Sequence, residues 1–81
     1  METRVVLLGI IAEDNTAAEE INRILHEAAE YVVGRMGVPY RTRGVHVISV
    51  ILDAPEDVVS AVSGKLGQLE GVSAKTIYSK A

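Results

Sequence analysis

The chain has no cysteine, no tryptophan and no phenylalanine, and its only aromatic residues are three tyrosines. Without thiols there can be no disulfide framework and no thiolate-held zinc or iron–sulfur centre within these residues. Charge of one sign is scarce as well. A formal net charge of −3 argues against a domain that grips nucleic acid through its backbone phosphates. Long hydrophobic runs are missing too: Val5–Ala12 and Val45–Leu52, the two most apolar stretches, are too short to span a bilayer. The first of them is preceded by a single basic residue and followed by no small-residue cleavage site, so it does not read as a signal peptide. These absences lead us to expect a cytoplasmic protein that touches no membrane. At 81 residues the chain is one domain, burying roughly 60% of the surface it would expose unfolded.

What the chain does have is two short stretches that are apolar on both alternating faces. Read as strands, the first puts Val5, Leu7 and Ile11 on one side and Val6, Leu8 and Ile10 on the other. The second sets Val45, Val47 and Ile51 against Ile48, Val50 and Leu52, with His46 and Ser49 breaking the pattern. A strand apolar on both faces needs cover on both. Two helices can cover one face of a small sheet, so the other is expected to be covered by another copy of the protein. We expect a homo-oligomer, a dimer or tetramer built through the sheet, with His46, Ile48 and Val50 as candidate interface residues.

The remaining elements follow from periodicity and punctuation. Glu13-Asp14-Asn15 reads as a polar turn, and Thr16 with Glu19 fits a capping box. The helix that follows runs to about Ala29 or beyond, with Ala17, Ile21, Ile24, Leu25, Ala28 and Val32 on one stripe. Between residues 34 and 44, Met36, Val38, Tyr40 and Thr42 alternate with Arg35, Gly37, Pro39, Arg41 and Arg43. That alternation suggests an irregular strand, and Pro39, lacking a backbone donor, assigns it to a sheet edge or a bulge. A turn near Arg43-Gly44 folds it back as a hairpin. Asp53 then reads as the cap of a second helix, with Pro55 in its first turn and Glu56 closing the box. Val58, Val59, Val62, Leu66 and Leu69 form its stripe, Gly71 ends it, and Val72–Tyr78 is the last strand. With right-handed crossovers this order gives an α+β, ferredoxin-like βαββαβ sandwich. Its four-stranded antiparallel sheet carries two helices on one face, with the first and third strands central.

No catalytic constellation emerges. The serines lack a base in a nucleophile-elbow context, and Glu13-Asp14 and Glu56-Asp57 sit at helix starts, where the dipole favours carboxylates. An acylphosphatase-like hydrolase would need an arginine cradle in the first strand–helix loop, which is acidic here. His26 and His46 have no partner at ligand spacing on their own elements, so no metal and no cofactor is expected. Ser63-Gly64-Lys65-Leu66-Gly67 lacks the spacing and the preceding strand of a phosphate loop. Its two glycines inside a helix suggest close approach of another backbone or a ligand. The cationic segment is different: no acid occurs from Tyr31 to Leu52, and Arg35, Arg41 and Arg43 fall on one face of the edge strand. They either clamp an anionic effector, with Gly37 giving access to the backbone, or protect the edge from unwanted pairing.

The run Ser63-Gly64-Lys65-Leu66-Gly67-Gln68-Leu69-Glu70-Gly71-Val72 resembles the family of iron-only hydrogenase system regulators. Arg35-Met36-Gly37-Val38-Pro39 is similar to that family's pattern before its hairpin. The resemblance implies a stand-alone ferredoxin-like regulatory domain, similar to the C-terminal domain of the nickel-responsive repressor and to ACT domains. Those relatives assemble through their sheets and bind small effectors at subunit boundaries. Nickel binding does not carry over, because Arg35–Val45 has neither histidine nor cysteine. With no ribbon–helix–helix module in these residues, no direct nucleic-acid binding by this domain is expected either. The reading is therefore a non-enzymatic, homo-oligomeric regulator or sensor; the alternative is an ACT-like module that binds a small molecule and acts on a partner enzyme.

Overall fold

The computed structural model describes residues 2–13 and 17–80. Four strands and two α-helices follow in the order β1 (Arg4–Ala12), α1 (Ala17–Glu27), β2 (Val32–Tyr40), β3 (Val45–Ala54), α2 (Glu56–Gly67) and β4 (Val72–Tyr78), with a short 3-10 turn at Ala29–Tyr31. The sheet is antiparallel throughout, with strand order β2-β3-β1-β4. The fold is thus ferredoxin-like, and the two strands with two apolar faces lie at its centre.

Both helices lie on one face. Val6, Leu8, Ile10 and Ala12 from β1 and Ile48, Val50, Leu52 and Ala54 from β3 point into this layer and are buried. Ile21, Ile24 and Leu25 of α1 meet them from above, with Val59, Val62 and Leu66 of α2. Side chains spaced three and four residues apart on each helix therefore meet side chains spaced two apart on each strand. The helices are also tied to each other: the Lys65 ammonium donates to Glu27 at 2.8 Å. That contact and the nearby Arg23 guanidinium hold the Glu27 carboxyl below its ordinary range, the hydrogen bond from Lys65 being the larger cause.

Several local expectations are corrected. The first helix ends at Glu27, and Val32 opens β2 rather than closing the helical stripe. Thr16, with Asp14 and Asn15, lies outside the described residues, so the first capping box is not tested. Asp53 does not cap α2. It continues β3 opposite Val5, and Pro55 takes the cap position at φ −62 and ψ 154 with no side-chain cap bond. The second helix stops at Gly67, before a turn that ends on Gly71 at φ +75. Space is open around an added Cβ at both Gly64 and Gly67, so no backbone of this chain approaches them.

Candidate functional site

The face without helices is the most unusual surface of the molecule. Odd-numbered residues of β1 and β3 point outward here: Val5, Leu7 and Ile11 from one, Val47 and Ile51 from the other. Met36, Val38 and Tyr40 extend the patch onto β2, and Ile77 onto β4. Exposure of these nine side chains runs from 37% at Val47 to 65% at Ile77. Apolar side chains grouped on a surface in this way occur at interaction sites, in ligand grooves and on aggregation-prone faces.

The register arranges the patch in rows two residues apart. One row runs Gly34–Ile51–Leu7–Ile77, the next Met36–Ser49–Gly9–Lys75, and the third Val38–Val47–Ile11–Ser73. The middle row is the low one, with glycine and serine on the two central strands. Space is open around an added Cβ at Gly9, so nothing inside this chain requires a glycine there. At one end of the face Val5, Leu7, Ile51 and Ile77 line a shallow apolar trough of about 260 Å³. Toward the other end β2 and β3 run on into a hairpin whose residues from Met36 to Gly44 are all exposed. The whole molecule measures 41 × 19 × 18 Å.

The expected interface residues are not on this face. Ile48 and Val50 point the opposite way, beneath the helices, at 5% and 0% exposure. His46 has the same parity and is half-buried beside Ala12 and Pro39. A one-residue step along a strand reverses the face. The occupants of the open face are all apolar in the sequence, at odd positions of β1, β3 and β4 and at even positions of β2.

The cationic cluster is also dispersed. Arg35 lies on β2 opposite Val50, on the helix side, and donates to the Asn22 side-chain oxygen on α1 at 2.8 Å. Gly37 shares that side, where an added Cβ would come within 3.9 Å of Ile48. Arg41 and Arg43 are not on the strand at all. They belong to the four-residue turn 41–44, closed by Gly44 at φ +66. Six residues of extended chain put Arg41 about 20 Å from Arg35, so the three guanidiniums do not converge on one anion. Arg35 alone borders a concavity, a cleft of about 450 Å³ lined with Asn22, Leu25, His26, Ala29 and Val32. A second cleft of about 460 Å³ lies at the start of α2, lined by Glu2, Thr3, Arg4, Glu56 and Tyr78 among others. There Arg4 rests 5.8 Å from the centre of the Tyr78 ring.

Among the described residues, no three His, Asp or Glu side chains come together as a metal site. None of the described helices is long and apolar enough to cross a membrane. One buried polar atom, Thr76 Oγ1, has no hydrogen-bond partner among them; Thr76 stands opposite Leu8 and lines neither cleft.

Comparison with known proteins bears on this geometry. No curated protein matches the chain. Among solved structures, the uncharacterized protein TM1266 from Thermotoga maritima is 38% identical, with a TM-score of 0.94 over 98% of this chain and 100% of that one. A formyltetrahydrofolate deformylase from Pseudomonas putida KT2440 shares the fold alone, at 16% identity and a TM-score of 0.67. The shared part is 90% of this chain and 28% of the deformylase. Residues 4–76 match the family described as "TM1266-like: Iron-only hydrogenase system regulator, putative", and the chain belongs to that family.

Proposed function

We propose that the protein is a non-enzymatic regulatory domain that works as a homo-oligomer, with its helix-free sheet face buried between subunits. The observation that carries this reading is the patch of nine large apolar side chains on that face. Each contributes about 1.5–3 kcal/mol when fully buried. The alternative, an ACT-like module that binds a small molecule and acts on a partner enzyme, has one feature in its favour. Arg35 is a forked donor at the margin of a cleft between α1 and β2, suited to a small anion.

Native mass spectrometry of the purified protein tests both readings in one spectrum. We expect a dimer or tetramer that Leu7→Glu, placing a charge in the patch, converts to a folded monomer. A wild-type protein that stays monomeric at high micromolar concentration would rule the oligomer out. A retained anion that disappears in Arg35→Ala would favour the alternative.

A further inference from the structure

We infer that the open face takes a second copy of the chain head to tail. In this arrangement a two-fold axis crosses the strands at Gly9 and Ser49, so the hairpin of each copy lies along the Val5–Asp53 end of the other. The inference rests on the homo-oligomeric reading and adds the arrangement, which an apolar patch alone does not specify.

Shape is the first reason. Counted from the Gly9–Ser49 row, Ile11 and Val47 lie two residues toward the hairpin, and Leu7 and Ile51 lie two residues the other way. A two-fold axis across the strands at that row therefore sets Val47 over Ile51 of the second copy, and Ile11 over Leu7. The projecting hairpin end of one copy then meets the trough of the other. On the axis, Gly9 faces Gly9 and Ser49 faces Ser49, the two smallest side chains that the central strands turn toward the open face. A glycine in a central strand with open space over it fits a place where another backbone approaches closely.

Charge is the second reason. The hairpin tip carries Arg41 and Arg43 and no acid, whereas the opposite end of the same face carries Asp53. Val45 and Asp53 are each four residues from Ser49, so the tip, just beyond Val45, reaches Asp53 of the second copy. The reverse arrangement, hairpin beside hairpin, would bring the two arginine-bearing tips to one end and both Asp53 carboxylates to the other, and like charges brought together repel. Lys75 meets its own copy in the head-to-tail arrangement, but β4 is an edge strand and its long stem lets the ammonium turn to water.

Because the chain has no cysteine, a thiol can be placed at will. Arg43→Cys and Asp53→Cys are prepared separately, mixed, allowed to exchange subunits and treated with a short bismaleimide. Covalent dimer is expected in the mixture and in neither variant alone. A covalent dimer from Arg43→Cys alone or Asp53→Cys alone would overturn the head-to-tail arrangement. So would no cross-link in a mixture that light scattering shows to be dimeric. If light scattering shows wild type and both variants to be monomers, the homo-oligomeric reading falls and this inference falls with it.

Discussion

Leu7 and Leu8 are neighbours on the same central strand, yet they stand in opposite environments. Leu8 is 1% exposed beneath the helices and Leu7 is 41% exposed on the open face. Their side chains are the same, and each is flanked two residues away by an apolar residue on one side at least. Both faces of β1 and β3 carry large apolar residues, the open one interrupted by Gly9, Ser49 and Asp53, and only the other is satisfied within the chain. What separates them is topology, because both crossover helices pass over the same side of the sheet. The covered face thus makes the fold, and the uncovered one is the face proposed to take a second copy.

The sharpest test of this contrast is a pair of truncations. In dilute solution, where the chain is dissociated, Leu8→Ala is expected to lower the unfolding free energy by about 2–5 kcal/mol. That is a large share of the roughly 4–12 kcal/mol available to a domain of this size. Leu7→Ala should cost about 1 kcal/mol under the same conditions, since much of that side chain is already in water. At high protein concentration the Leu7→Ala loss should grow, because association stabilises only the folded state. Urea unfolding at two concentrations distinguishes the faces. Equal, concentration-independent losses for both variants would break the comparison.

A smaller effect, of opposite sign in monomer and oligomer, is expected at Gly9. Valine there meets open space and gains strand propensity, so the dilute protein should become more stable by up to about 1 kcal/mol. The same branched side chain stands where two sheets are to close, so association should weaken tenfold or more. Chemical denaturation and a dilution series by light scattering read the two quantities separately. Unchanged association in Gly9→Val would mean that the low row does not face a second sheet.

How far the sequence carried this reading depended on whether each signal was local. Alternation on β1 and β3 and the start of the three- and four-residue stripe of α1 are local signals that lead to the right elements. The positive-φ glycines Gly44 and Gly71 mark the turns before β3 and β4, although Val32 overextends α1 and Gly71 lies past the end of α2. Asp53 misled because Asp-Ala-Pro-Glu has the residues of a helix start. Its place is set instead by pairing with Val5, nearly fifty residues away in sequence. Ile48 and Val50 lie under the helices by parity, and Ser49 with Asp53 on the other parity of β3 is the sequence signal that separates the two faces. The arginines share a face only if the strand extends through Arg43. The turn claims residues 41–44, and Arg35 is drawn across to Asn22 on α1.

The smallest expected effect concerns what keeps the covered face covered. Glu27 and Lys65 join α1 to α2 at their exposed edges, and Arg23 also approaches Glu27 at 3.7 Å. Because these partners hold the Glu27 carboxyl below its ordinary value of 4.5, the folded state favours its ionised form more than the unfolded state does. The sign follows directly. The contribution is fully present above the ordinary value and is lost as pH falls through the lowered one. Glu27→Gln should therefore melt slightly below wild type at pH 7, and the gap should close on acidification beneath pH 4.5. The groups are exposed, so salt should also narrow the gap at neutral pH. Thermal unfolding of both proteins in dilute solution, from pH 7 down to pH 3, is the measurement. A gap that persists unchanged across that range would show that Glu27 holds the helices by its packing and not by its charge.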